Sequence, residues 1–348
     1  MTPTWRGVVV MLTFVCGLGC EPLSEKYSDG DYLFLRDNGA DMPVWVRGNR
    51  DSDVFLIYLH GGPGGSAVAG FASAPPFLAL RDHFGLVFWD QRASGMSQGN
   101  PPEGSLTLES FVADTDHVVE LIRALYHPKH LVLMGHSWGG LLGTAYLLDA
   151  TRRNKIAGWI EVDGSHSPAR QFALSRRWML NRATELRDRG DGKANWSDVL
   201  DFYDHTTELE PSIADTHYHY CELAGAYWHD QNNEPKITSA DIFGSPFSLG
   251  FTINPSRTAK AIGLTLASTF DLSPLMAEIQ TPALLLWGAD DGVIPADMAE
   301  DAYASLGTTE SDKRRVVFEH SAHSPMFEAP QAFEAEVRDF LEKVRTGP

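Results

Sequence analysis

One glycine-framed serine constrains this chain more than any other stretch. Residues 131–134 form an unbroken apolar run, Gly135-His136-Ser137-Trp138-Gly139-Gly140 follows at once, and a helical pattern takes over at 141–148. A strand that turns directly into a helix brings its backbone so close to itself that larger neighbours do not fit. The residue at the apex is strained, and its side chain is lifted out of the sheet. Ser137 is therefore a candidate nucleophile.

The surrounding pattern says what kind of sheet carries this turn. Apolar runs at 32–36, 43–47, 54–59, 83–89, 156–162, 283–287 and 315–318 read as strands, and 54–59 is apolar enough to be buried on both faces. Amphipathic stretches at 106–126, begun by Thr107, and at 331–344 read as helices. Strand and helix alternate, so the sheet is expected to be mainly parallel and covered on both sides. Between 164 and 270 the alternation stops and helical patterns rich in Arg, Asp, Trp and Tyr replace it. This predicts a helical cap at 164–270, inserted between two parts of one core, 21–163 and 271–348.

A serine hydroxyl is a weak nucleophile near neutral pH, so a histidine must take its proton and a carboxylate must orient that histidine. Asp291 lies just past the strand at 283–287, and His323 lies past the strand at 315–318 and before the closing helix. That is the chain order Ser, Asp, His on one edge of the sheet. Asp290 and His320 are the local competitors. Acyl transfer also needs donors for the oxyanion. His60-Gly61-Gly62-Pro63-Gly64-Gly65 follows directly on the 54–59 strand and can turn bare backbone N–H groups toward a ligand. The expected donors are the N–H groups of Gly62 and Trp138, with Gly61 as the alternative to Gly62.

Together with Trp89-Asp90-Gln91-Arg92-x-x-Gly95-x-Ser97, Gly288-x-x-Asp291-x-x-x-Pro295 and His323-Ser324-Pro325-x-x-Glu328-x-Pro330, these segments resemble the α/β-hydrolase superfamily, and within it the proline iminopeptidase-like branch. The resemblance implies Ser137, Asp291 and His323 as catalytic triad. It further implies an aminopeptidase releasing N-terminal residues from short peptides through an acyl-enzyme. Carboxylesterase or arylamidase chemistry is the alternative, and a non-catalytic envelope binding protein is the alternative of another class. Asp90 and Arg92 are expected to brace loops beneath the oxyanion site. Ala322 stands where the branch usually has glycine.

Members of that branch hold the substrate's amino group with cap glutamates. Here Asp204, Glu208, Glu210 and Glu222 accompany Tyr218, Tyr220, Tyr227 and Trp228 in the cap segment, and Glu208, Glu210 and Glu222 are the candidate substrate-binding residues. The branch's Trp-Glu cap motif is absent. His217, His219 and Cys221 alternate in the same segment, yet no second ligand cluster has suitable spacing, and the triad chemistry calls for neither metal nor cofactor.

The first twenty residues read as an export signal. Arg6 is positive, residues 8–15 are apolar, and Gly17 and Gly19 lead to Cys20, a candidate lipidation site. The expected location is the bacterial cell envelope or periplasm, with membrane association only through Cys20. Removal of the signal takes Cys16 with it and leaves Cys221 as a buried free thiol. A formal charge of −18 opposes nucleic acid and anionic surfaces, which leaves small molecules and short peptides as partners.

Overall fold

The computed structural model describes residues 27–210, 212–236 and 270–347. The signal segment with Cys20, and residues 237–269 of the expected cap, lie outside them. The described residues form a nine-stranded sheet: β1 (Asp31–Asp37), β2 (Ala40–Gly48), β3 (Val54–Leu59), β4 (Gly85–Trp89), β5 (Gln98–Gly99), β6 (His130–His136), β7 (Gly158–Val162), β8 (Ala283–Gly288) and β9 (Lys313–Phe318). The order is β1-β2-β4-β3-β6-β7-β8-β9, with β5 paired to β2. β1 and β2 form an antiparallel hairpin, β2 runs antiparallel to β4, and from β4 onward every pairing is parallel. The sequence pattern shows the other strands but not the short β5, whose two residues are too few to carry any periodicity.

Helices cover both faces. We label α1 (Leu108–Tyr126), α2 (Trp138–Leu148), α3 (Pro168–Asp188), α4 (Trp196–His205), α5 (Ala214–Ala224), α6 (Asp297–Ser305) and α7 (Pro330–Thr346). Thr107 caps α1 by accepting from Ser110 N, and His127 ends it in a left-handed conformation. Strands β3, β4, β7 and β8 are buried at every position, as strands between two helical layers must be. One apolar layer joins Ile57, Leu133, Trp159 and Leu285 to α1, α2 and the α3–α5 helices. The other joins Leu56, Met134, Ile160 and Leu286 to Phe333, Val337, Phe340 and Leu341 of α7. This double covering is what holds the carboxyl ends of β3, β6, β7 and β8 side by side, and the candidate site sits there.

Helices α3, α4 and α5 follow β7 without an intervening strand, and α4 packs on α3. Their own polar ties are local. Arg176 Nε donates to the carbonyls of Tyr203 at 2.7 Å and Thr206 at 2.8 Å. Ser175 Oγ reaches Gly292 O at 2.6 Å, so the long helix is also pinned to the loop after β8.

Candidate active site

The turn after β6 has the strain its sequence demands. Ser137 sits at φ 56°, ψ −119°, immediately before α2. A Cβ at Gly135 would lie 2.2 Å from Gly139 O, and one at Gly139 would lie 2.0 Å from Leu59 O. Both contacts are with backbone and cannot be relieved by a rotamer change. The neighbouring strand end fixes the turn from the other side, because Ser137 N donates to Val162 O at 3.0 Å. The strained apex is thus held by close packing on two strands.

Asp291 and His323 come from separate loops and meet. His323 Nδ1 donates to Asp291 Oδ2 at 2.7 Å, with both residues buried. The second oxygen, Oδ1, accepts from Val293 N at 2.8 Å and Ile294 N at 2.9 Å. The carboxylate is therefore oriented and turned toward the imidazole. Its competitors point elsewhere: Asp290 pairs with His229 Nδ1 at 2.6 Å on the surface, and His320 is exposed beside the same His229 ring.

His136 ties the histidine loop to the serine turn. Its Nε2 donates to His323 O at 2.7 Å, and the two rings lie 4.9 Å apart. Burial, reinforced by the neighbouring His323, lowers His136 to about 3, so the ring is neutral at every ordinary pH. His323 N donates to Tyr227 O at 3.2 Å, and the Tyr227 ring stands edge-on to the imidazole at 5.8 Å. Glu328 completes the bracket, accepting from Ala322 N at 2.7 Å and from Asp230 N at 2.9 Å.

The glycine loop after β3 lies against the serine. A Cβ at Gly61 would be 3.0 Å from Ser137 Cβ, so the loop runs close beside the serine, while Gly62 adopts φ 123°. His60 accepts from Gln91 N through Nε2 at 3.0 Å and donates through Nδ1 to Gly61 O at 2.8 Å. Burial lowers its pKa, as this neutral tautomer requires. Gln91 Nε2 donates to His60 O and its Oε1 accepts from Trp138 Nε1 at 2.9 Å. A single glutamine thus links the two segments expected to supply the oxyanion donors.

Asp90 and Arg92 do brace loops, but at different places. Buried Asp90 accepts from Ser66 Oγ and from the N–H groups of Ala67, Val68 and Met96, all between 2.7 and 3.1 Å, which fixes the end of the glycine loop. Arg92 grips Asp114 of α1 through two bonds, at 2.5 and 2.6 Å, and Asp37 of β1 at 2.8 Å, so it anchors the antiparallel edge.

Of the cap carboxylates, Asp204, Glu208, Glu210 and Glu222 are all exposed. Glu222 is distinguished by reaching the catalytic edge electrostatically: with Cys221, Tyr218 and Asp291 it adds to the burial that raises the Tyr227 hydroxyl. Tyr227 and Trp228 lie over the histidine loop, Trp228 at 6.1 Å from Phe327, whereas Tyr220 packs on Phe202 inside the cap. His217 and Cys221 are one turn apart on the buried face of α5, and His219 is exposed on the other side. Helical spacing therefore separates the alternating trio. Tyr203 Oη bonds His217 Nδ1 at 2.8 Å, and burial pushes the Cys221 thiol up to about 12.

Two buried acids, one on β7 and one just past it, carry no motif signal of their own in the sequence. Glu161 lies beneath the start of α2, where Cβ atoms at Gly164 and Gly140 would stand 2.3 and 3.2 Å from its Oε1. Burial pushes it up to about 8, opposed by the Trp159 indole. Asp163 lies one residue past β7, at φ 43°, and joins Asp291 and His323 with polar atoms all within 4.8 Å of one another. A carboxylate at the carboxyl end of a parallel strand was the signal that pointed to Asp291, and it was present here too.

This architecture defines an α/β hydrolase, and the chain belongs to that family: residues 54–330 match the alpha/beta hydrolase fold. The Bacillus subtilis (strain 168) protein named "Probable aminopeptidase YbaC" is 25% identical over 320 residues, covering 89% of this chain and 96% of its own. The pimeloyl-[acyl-carrier protein] methyl ester esterase of Aliivibrio fischeri is 24% identical over 229 residues, covering 66% of this chain and 76% of its own. Among solved structures, a proline iminopeptidase-related protein from Thermus thermophilus superposes with a TM-score of 0.58 at 20% identity, covering 90% of this chain and 98% of that one. The motif resemblance to the proline iminopeptidase-like branch agrees with these relatives.

Proposed function

We propose that this α/β hydrolase is a serine hydrolase working through Ser137, and that it acts as an aminopeptidase on short peptides. The observation that carries the first part is the buried His323–Asp291 pair, bonded at 2.7 Å and tied to the serine turn through His136. In the proposed cycle His323 Nε2 takes the Ser137 hydroxyl proton as Oγ attacks the scissile carbonyl. Asp291 stabilises the imidazolium without taking the proton. The N–H groups of Trp138 and of Gly62 or Gly61 receive the oxyanion, each donor worth about 3–4 kcal/mol in a dry site. His323 then protonates the leaving amine, and water repeats the sequence on the acyl-enzyme.

The aminopeptidase part is supported by a relative that this chain covers almost end to end, and by the Glu222 charge acting on Tyr227 beside the triad. Glu222 is the cap carboxylate we assign to the substrate's free amino group. Esterase chemistry is the second reading, favoured by relatives named methyl ester esterases. Steady-state hydrolysis of aminoacyl-arylamides, with proline free and N-blocked, beside short acyl esters separates the two, with Ser137→Ala as control. Preference for free-amine proline supports the peptidase, equal turnover of blocked and free amines overturns it, and ester turnover alone assigns an esterase. Export with a lipid at Cys20 belongs to the same proposal on the strength of the N-terminal pattern. Loss of membrane-fraction protein in Cys20→Ser would support it, and an unchanged distribution would refute the anchor.

A further inference from the structure

The orienting carboxylate is not the only acid at the catalytic histidine. Asp163 is fully buried at the end of β7, and one of its oxygens, one of Asp291 and one nitrogen of His323 lie mutually within 4.8 Å. The two carboxyl groups are not equivalent. Asp291 has three donors aimed at it, from Val293 N, Ile294 N and His323 Nδ1. Asp163 has one, from Gly288 N to Oδ1 at 2.9 Å, and that leaves Oδ2 buried with no hydrogen-bond partner among the described residues. Two carboxylates this close in a dry site cannot both ionise, and the proton goes to the one with fewer donors.

Of the other charged groups around Asp163, Glu328 pushes the same way. Glu328 adds negative charge from the loop after β9, and burial with Asp291 beside it is what raises the Asp163 carboxyl. From β3, the Tyr58 hydroxyl faces it and is itself raised by burial and by Asp163. No cation among the described residues of these elements offsets them, apart from the imidazolium that His323 becomes during turnover. The backbone also keeps Asp163 in place at a cost, since its φ of 43° is one that few residues other than Gly, Asn and Asp adopt readily.

We infer that Asp163 is a neutral carboxylic acid that donates a hydrogen bond from Oδ2–H to Asp291, and that it is a positioning residue setting how strongly Asp291 attracts the proton on His323. The proton stays on Asp163 throughout. By sharing the Asp291 charge, this bond weakens the hold of Asp291 on the imidazolium and so keeps His323 able to give its proton to the leaving group. The inference rests on the proposed role of His323.

Infrared difference spectroscopy of wild type against Asp163→Asn at about pH 7 reads the proton directly and needs no turnover. A protonated-carboxyl carbonyl band that is lost from the wild-type spectrum in the variant supports the inference, and a difference spectrum with no such band overturns it. The pH profile of kcat/KM supplies the second readout. Asparagine can accept from Gly288 N and donate to Asp291, so Asp163→Asn is expected to keep the acid limb where wild type has it. Asp163→Ala removes the donor, concentrates the Asp291 charge on His323, and is expected to raise the acid limb by about half a unit to one unit. An acid limb that falls by about one unit in Asp163→Asn would mean an ionised Asp163 and overturn the proposal, as would an unmoved limb in a folded Asp163→Ala. If Asp163→Ala does not fold, the spectrum and the asparagine variant decide. Absence of Ser137-dependent turnover would sink the hydrolase reading while leaving the spectroscopic result intact.

Discussion

Replacing Glu161 by Gln tests whether the acid beneath the serine turn is held neutral. The side chain is fully buried on β7, and burial raises it to about 8 against the Trp159 indole. In the unfolded chain a glutamate titrates near ~4.3. A carboxyl raised in the folded state contributes stability that is complete below the unfolded value and is lost as the pH rises through the folded one. At about 1.4 kcal/mol per unit, wild type gives up roughly 3–4 kcal/mol between pH 5 and pH 8 through this one group. Glutamine does not titrate. The gap between Glu161→Gln and wild type should therefore move by that amount in favour of the variant over the same range, whatever its offset at pH 5. Urea unfolding of both proteins at the two pH values measures it, because every other titrating group cancels in the difference. Parallel stability curves would show that Glu161 ionises in the folded protein and would refute the reasoning.

The remaining predictions concern the scaffold around the site. Gly139→Ala, whose Cβ would lie 2.0 Å from Leu59 O, should lose turnover and show a clearly lower Tm, and near-wild-type values for both would refute the close-packing account of the turn. Arg92→Ala leaves Asp114 buried without its partner and should cost about 3–5 kcal/mol in denaturant unfolding. Four buried histidines are lowered by burial: His60, His136 to about 3, and His166 and His217 each to about 4. Their unfolded forms take up protons near ~6.5, so the stability they carry is complete above that value and is lost as the pH falls toward ~4. Calorimetry in buffers of different ionisation enthalpy should detect proton uptake on unfolding near pH ~5, and a Tm unchanged between pH ~7 and ~5 would contradict it.

Much of the molecule was legible in its sequence because its signals are backbone signals. Runs at 54–59 and 283–287 had to be buried strands, and Gly135 and Gly139 had to be glycine for Ser137 to turn where it does. Chain order, strand-end position and the family resemblance then pointed to Asp291 and His323 on one edge. What stayed hidden were interactions between distant segments. Nothing near Glu161 or Asp163 in the chain says that a helix will close over one and that a second acid will meet the other. His136, inside the serine motif, has its part only through the bond to His323 O, across 187 positions. The cap carboxylates are exposed, and their role is not readable from sequence position. Their composition suggested a site, but exposure is decided by which helix face packs, and there the sequence of the segment is ambiguous.

The position of α7 gives the site an order of assembly. Ser137 and its turn belong to the first half of the chain, whereas His323 sits only a few residues before α7, whose Phe333, Val337, Phe340 and Leu341 fill the underside of the sheet. Phe340 presses against Gly158 on β7, next door to the strand that carries the serine. A growing polypeptide can therefore form the nucleophile long before it has a base to activate it. With Ser137 and His323 in the proposed roles, reactivity requires that α7 has docked behind the histidine loop. A version ending at residue 329 should consequently be inert toward a fluorophosphonate even if its serine turn has formed, and labelling equal to that of the full-length chain would dismiss this dependence.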